Sequence, residues 1–432
     1  MMFRGSRPTG GSPVFQRSKR VTRSFLLTIT ALALLAGGGV LHLSLAQNSV
    51  KKKAPRKASL EKVFPHSNKC KRCHFRAFEE WEASPLARSI HSAAFRVALE
   101  EYLTFSGNKD KALCFRCHAP HVNEFAELAD HFVKQVRSRD PLIDGVGCAQ
   151  CHFIREVDFT AHPPLPKYET GKTLFGPYAD YVKNLAHDSM KLEIYRKSAL
   201  CLNCHQSVPT AADLGKSNDL LGSWETSKAV KSGKECQTCH MPEQIGESAN
   251  GEPKRRVANH TFPGRVGRLR QEGAKLDISA EVTGKTSKVT VTVRSLVPHN
   301  LPTTHPAWAS VVLTLTIKGK NLKTVYQEDR VFGRVYADAK GRETVFDFKA
   351  TKVLKNTVLK PEETRVETFT FPTPKDAPSM DVIASLRYAP ISGPEQFLQR
   401  VEAESPRGAR DPVFKAIDIA ERSVNVLLER KR

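Results

Sequence analysis

The motif Cys-x-x-Cys-His occurs five times in this chain of 432 residues, and no other feature constrains the fold as much. The copies are Cys70/Cys73/His74, Cys114/Cys117/His118, Cys148/Cys151/His152, Cys201/Cys204/His205 and Cys236/Cys239/His240, and they use all 10 cysteines. With so few histidines, five such coincidences have a chance probability on the order of 10⁻⁷. An even cysteine count suggests disulfides, but cysteines that come only as pairs two apart do not. A zinc ribbon takes two Cys-x-x-Cys knuckles per ion, so five pairs leave one stranded and the histidines unexplained. The pattern is that of c-type haem attachment. Two thiols one helical turn apart add to the two vinyl groups of one porphyrin, and the next histidine supplies the proximal imidazole. Five covalently bound c-type haems are therefore expected.

Haem accounts for the composition. A chain with 40% hydrophobic and 8% aromatic residues has little side-chain core for its length. The motifs lie between residues 70 and 240, roughly 40 residues per cofactor, so the porphyrins themselves must form much of the core. Lys+Arg 67 against Asp+Glu 45 gives +22, which first suggests nucleic acid. Six of those charges (Arg4, Arg7, Arg17, Lys19, Arg20, Arg23) sit in the leader, which leaves about +16. Ten propionates reduce this to about +6 with ferrous iron, or about +11 with ferric iron. A mildly basic holoprotein suits redox partner proteins with acidic docking surfaces, and no nucleic acid is needed to explain it.

The leader itself has no acid before residue 47, and an apolar stretch runs from Phe25 to Leu45. Ser44-Leu45-Ala46 has the small-x-small form of a signal-peptidase site. Residues 1–46 thus read as a signal peptide or an uncleaved signal anchor of an exported protein. Such a protein is periplasmic, anchored facing the periplasm, or extracellular. Residues 47–62, with Lys51-Lys52-Lys53-Ala54-Pro55-Arg56-Lys57, read as a basic linker, either a tether or a segment touching anionic headgroups.

Iron in an electron carrier is capped on its second face by His or Met. Of five methionines, Met1 and Met2 are in the leader and Met241 follows a proximal histidine, leaving Met190 and Met380. Outside the motifs and His42, nine histidines remain: His66, His91, His121, His131, His162, His187, His260, His299 and His305. Bis-histidine haems of low potential are the expectation. The candidate distal ligands are His66, His91, His162, His187, His260 and His299. His66 lies four residues before the first motif, and His162 lies in Ala161-His162-Pro163-Pro164, ten past His152. His187 opens an expected helix leading to the fourth motif. His260 sits in the turn Asn259–Gly264, and His299 in the proline-stiffened loop Val297–Pro306. His121, one turn after His118, either supports a ligand or is exposed.

The fold class expected is α+β multidomain. A haem domain over 63–268 carries helices at 75–81, 88–103, 122–138 and 188–200, with a loop across 163–177. Over 272–400 the texture changes: Leu276, Ile278, Ala280 and Val282 alternate with polar residues, as do Val289, Val291 and Val293, then Val311, Leu313, Leu315 and Ile317. Seven or eight short strands make an antiparallel β-sandwich. Residues 410–432 show helical periodicity and are expected to form a C-terminal helix.

The order of features resembles the multihaem cytochromes related to the tetrahaem cytochrome that accepts electrons from hydroxylamine oxidoreductase in nitrifying bacteria. The matching residues are CKRCH followed by Trp81-Glu82-Ala83-Ser84, then CFRCH, Gly145-Val146-Gly147 before CAQCH, His162, and CLNCH. ECQTCHMP (Glu235–Pro242) and His299-Asn300-Leu301-Pro302-Thr303 look like a pentahaem branch with an appended β domain. The resemblance implies a helical haem-stacking fold, electron transfer, and His162 as distal ligand of the first haem. One position departs: two residues after the Trp-x-x-Ser element, where the family places a ligand histidine, stands Leu86. Either His91 replaces it, or one haem is open to a small molecule.

Two functions follow. The first is an exported pentahaem carrier that passes electrons between redox partners and is not itself an enzyme. The alternative is a multihaem oxidoreductase acting on a small nitrogen or sulfur compound at one open haem.

Overall fold

Each attachment motif folds as the spacing requires, with its cysteines one turn apart. In the computed structural model the last four lie on short helices, Phe115–His118, Cys148–His152, Ala199–His205 and Cys236–His240, and the first on a 3₁₀ turn, Ser67–Arg72. The structure describes residues 62–140, 143–161, 164–180, 184–206, 220–264, 269, 272–303, 308–375, 377–405 and 416–428. The leader, nearly all of the linker, His162 and His305 lie outside the described residues. Among the described residues no helix is long and apolar enough to cross a membrane.

Helix Phe75–Glu82 buries Phe78 and Trp81, and the Trp81 indole donates to the Val146 carbonyl at 2.8 Å. That bond ties the first motif to the Gly145-Val146-Gly147 turn. A side chain at Gly147 would meet Ser67 Oγ, Asp144 Oδ2 and Gln150 Oε1 within 2.7 Å, so glycine is required there. Helix Ala93–Ser106 begins later than its apolar pattern suggested, because Ser92 caps it by accepting from the Phe95 amide. It stops at Gly107, whose φ of 59° is left-handed. Helix Ala129–Arg137 packs Phe132, Val133 and Val136 against Phe95, Leu99, Leu103 and Phe115.

Between these helices run small ribbons. Strands β1 (Ile154–Asp158) and β2 (Leu165–Tyr168) are antiparallel, and β3 (Thr173–Gly176) and β4 (Asp188–Lys191) are parallel. An antiparallel hairpin follows, β5 (Glu243–Gly246) and β6 (Arg255–Ala258). The region expected as loop therefore contains β2 and β3. The helix expected over 188–200 is instead strand β4 and a 3₁₀ turn, Glu193–Arg196. Pairing of Asp188–Lys191 with Thr173–Gly176 draws this segment out of helix.

The β region holds two facing sheets and a small third. One sheet orders β10 (Thr324–Phe332), β9 (Ser310–Lys318), β15 (Ser379–Ala389) and β16 (Ile417–Leu427), all antiparallel. The other orders β14 (Thr364–Pro372), β8 (Thr286–Ser295) and β7 (Ala274–Thr283). Strands β12 (Glu343–Thr344), β11 (Arg334–Ala337) and β13 (Lys352–Asn356) form the third. The inward residues are the alternating ones of the sequence: Val289, Val291, Val293, Leu313, Leu315 and Ile317 are all fully buried. Each such side chain contributes roughly 1.5–3 kcal/mol. Met380 lies in this core at 1% exposure, and Met190 is on the surface of β4.

Residues Ile417–Leu427, expected within a helix, form a strand. Ile417 and Ile419 alternate with polar residues, as do Val424 and Val426, but the two pairs are five residues apart and out of phase. A register shift opposite Leu386 and Arg387 absorbs that slip, and the open edge of β15 supplies the backbone partner. A helix does form earlier, at Glu395–Glu404. Its Phe397 and Val401 pack with Phe346 against Ala93, Ala94 and Val97. Arg96 to Glu404 at 3.1 Å and Arg400 to Glu101 at 2.7 Å close the same seam. The haem region and the β region therefore share a packed interface.

Candidate functional site

Three proximal histidines each face a second histidine. The ring centres of His74 and His187 are 6.1 Å apart with planes at 27°. Those of His152 and His260 are 6.5 Å apart at 31°, and those of His240 and His299 are 6.3 Å apart at 26°. Two imidazoles on opposite sides of one metal, each bonded at about 2 Å, have their ring centres roughly 6 Å apart once the ring radii are added.

The hydrogen bonds orient these rings. His74 Nδ1 reaches Ser248 O at 2.7 Å, His152 Nδ1 reaches Phe175 O at 2.6 Å, and His240 Nδ1 reaches Pro263 O at 2.6 Å. His187, His260 and His299 do the same to Asp188 O, Ala258 O and Asn300 O at 3.0, 3.1 and 3.0 Å. His118 Nδ1 meets Ser89 O at 2.9 Å. A carbonyl only accepts, so each Nδ1 carries a proton, and in the neutral ring that leaves the lone pair on Nε2. Burial pushes His260 and His299 down to about 4 and lowers His152, which holds all three neutral, the form that binds metal. Gly264 leaves room beside His240, since a Cβ there would stand 3.2 Å from its ring.

The ribbons place these rings. Strand β3 gives Phe175 O to His152, and its partner β4 follows His187 directly. The β5–β6 hairpin provides Ser248 O from its loop and Ala258 O from its end, and Pro263 O lies just beyond.

The motifs are also close to one another, in an order that differs from the sequence. The Cys70 and Cys148 thiols are neighbours, as are Cys117 with Cys204 and Cys201 with Cys236. Cys151 lies within electrostatic reach of Cys201 and Cys204. The first site thus adjoins the third, the third adjoins the fourth, and the fourth also adjoins the second and the fifth.

Cys239 takes no part in these junctions. The sequence pairs it with Cys236 as an attachment point of the fifth haem, yet only Cys236 of the two reaches another motif. The reason is position along helix Cys236–His240. Cys236 opens the helix beside Ser198, whose hydroxyl accepts from its amide, whereas Cys239 stands half-buried one turn further on. Cys114 is likewise half-buried, and the thiol that neighbours it is Cys117 of its own motif.

Two of the junctions share one clasp. Asp144 Oδ2 accepts from the Ser67 amide and hydroxyl, both at 2.8 Å, and Ser67 Oγ accepts from the Cys148 amide at 3.0 Å. Glu235 Oε2 accepts from the Ser198 amide and hydroxyl at 2.8 and 2.7 Å, and Ser198 Oγ accepts from the Cys236 amide at 2.9 Å. Each serine stands three residues before the first cysteine of its motif. Neither clasp was found from sequence, because the carboxylates come from distant segments.

The other predicted ligands are placed differently. His66 accepts from the Asn68 amide at Nδ1 and pairs with Asp144 through Nε2 at 2.9 Å, so both its nitrogens are engaged. His91 Nε2 meets Ile143 O at 2.9 Å, and both rings border a cleft of about 530 Å³ beside Trp81. His121 is buried between Phe64 and Phe132 and bonds Gln150 at 3.0 Å, so it is not exposed. The ring opposite His74 belongs to His187. The Leu86 carbonyl accepts from the Ser89 and Val146 amides.

Residues 69–153, spanning the first three motifs, match the family model described as cytochrome c554 and c-prime. No relative among curated proteins matches. A penta-haem cytochrome c552 from Thermochromatium tepidum superposes with a TM-score of 0.61 at 19% identity, covering 85% of this chain and all of that one. The C-terminal domain of wzt, at 12% identity over 37% of this chain and 75% of that one, reaches only 0.20. The one-turn cysteine pairs, the facing imidazoles, the family match over residues 69–153 and the likeness to the penta-haem fold support a multihaem c-type cytochrome, an electron-transfer protein whose cofactor is haem c.

Proposed function

We propose that the chain is an exported pentahaem electron carrier that exchanges electrons with acidic redox proteins. The observation that carries this reading is the set of three histidine pairs 6.1–6.5 Å apart. Haem c at each motif would be held by its two cysteines, Cys236 and Cys239 at the fifth, and by His74, His118, His152, His205 or His240. His187, His260 and His299 would cap the first, third and fifth sites. Haem c supplies reversible one-electron exchange when bound. The chain's part is to aim six imidazoles through their Nδ1 carbonyl bonds and to keep the buried His152, His260 and His299 neutral. At these three sites a capped iron would have no coordination position to offer a substrate, which favours a carrier over an enzyme.

The leader supports export, because c-type attachment and a signal-peptidase site point to the same compartment. The test is mass determination of the holoprotein together with EPR of its fully oxidised form. Five haems with only low-spin ferric signals are expected. A stoichiometric high-spin signal would overturn the carrier reading in favour of an oxidoreductase acting on a small nitrogen or sulfur compound.

A further inference from the structure

The junctions between motifs make the fourth site a branch point and leave the first, second and fifth as termini. The fifth is closed over by His299 from the β region. The first lies at the surface: Cys73 is exposed, whereas the other nine attachment cysteines are half-buried. Its surroundings are basic. Lys69, Lys71 and Arg72 lie in and beside the motif, which alone of the five has cations at both positions between its cysteines.

Across from them comes Lys254. The loop after β5 is pinned to the motif by Asn250 N to Cys73 O at 2.7 Å and Asn250 Nδ2 to Arg72 O at 3.2 Å. Lys254 and Cys73 line one cleft of about 290 Å³. Nearby cations are neutralised: Arg76 pairs with Glu80, Arg255 with Asp180 and Arg256 with Glu243. Lys69, Lys71, Arg72 and Lys254 have no carboxylate in salt-bridge reach among the described residues. The loop's own acids turn inward, Glu247 onto the Gly251 amide and Glu252 onto the Ser248 hydroxyl. Within the ring sits Phe75, 46% exposed, with Lys71 above it at 5.6 Å. A small apolar spot inside a ring of unpaired like charges suits a short-lived, charge-steered encounter.

We infer that this surface is the electron port of the molecule, where a redox protein with an acidic face docks against the first haem. The inference rests on the carrier reading and adds the place where the acidic partner docks. Lys71 and Arg72 hold the partner closest to the exposed thioether at Cys73, and Lys69 and Lys254 widen the positive field.

The test uses full-length holoprotein and the double variant Lys69→Glu/Lys254→Glu, both positions lying outside Cys-x-x-Cys-His. A control, Lys320→Glu/Lys323→Glu, makes the same charge change on an exposed turn of the β region. Reduced protein is mixed rapidly with ferricyanide, an anionic oxidant, and separately with hexaammineruthenium(III), a cationic one. At low salt the double variant should slow ferricyanide about tenfold and speed the ruthenium reaction, both effects fading at high ionic strength. The control should do neither.

Equal rates for variant and wild type, or equal changes in the control, would overturn the port. Unchanged rates with lost binding to phosphatidylglycerol vesicles would also overturn it, since the patch would then be a membrane contact. In each of these cases wild-type protein still cycles reversibly. If it does not, the carrier reading itself has failed.

Discussion

The two clasps make the same three hydrogen bonds in different surroundings. At the junction of the first and third sites, Asp144 keeps 6% of its side chain exposed and its second oxygen meets His66. Behind it, His121 lies buried against Gln150 of the third motif. At the junction of the fourth and fifth sites, Glu235 keeps 22% exposed and its second oxygen meets Lys197, itself 59% exposed. One geometry thus joins motifs both in a dry interior with imidazole neighbours and at the edge of solvent with a permanent cation. The hydrogen bonds set the position, and the surroundings set what disturbs it.

The largest effect should come from Asp144→Ala. It strands the buried Ser67 amide and hydroxyl along with His66, at about 3 kcal/mol. Urea denaturation of the holoprotein measures this, and a loss no greater than that of Glu235→Ala would erase the distinction between the clasps.

Next is acid sensitivity at the dry junction. Burial pushes His121 down to about 4, from an ordinary value near 6.5. A neutral buried imidazole costs nothing above 6.5, and as pH falls from there to about 4 the unfolded chain takes the proton first, so stability is lost across that window. At pH 5 the loss is about 2 kcal/mol, and His121→Phe should flatten that part of the stability profile. An unchanged slope would mean another group is responsible.

The smallest effect is at the solvent edge. Glu235→Ala should cost about 1 kcal/mol. Burial raises Glu235, but the Ser198 hydrogen bonds and Lys197 outweigh it and hold the carboxyl below its usual value. Its contribution is therefore present above the ordinary carboxylate range and lost only as pH falls through that lowered value. A loss already measurable near pH 6 would contradict this assignment.

What the sequence showed depended on whether the information was local. The motifs name their own cysteines and proximal histidines, and β7, β8 and β9 follow from alternation. Which cysteine of a pair would touch another motif was not legible, and Cys236 and Cys239 differ there only through the neighbour each meets in space. His187, His260 and His299 were among the candidates, but not their partners, because pairing is a matter of distance across the fold. Ile417–Leu427 was misread because Ile417, Ala420, Val424 and Leu427 also fit a helical period, and only the edge of β15 decides between the two. The groups that orient the imidazoles were invisible, since backbone carbonyls leave no mark on residue identity.

The three facing pairs have one more consequence, for the order of assembly. His74 waits for a partner over a hundred residues downstream, His152 for one almost as far, and His240 for a loop beyond two strands of the sandwich. While the chain emerges, the first, third and fifth motifs are therefore open peptide, without the second histidine that each later faces. The later segments would bring the second imidazoles into place at these three sites, so haem attachment there would precede closure.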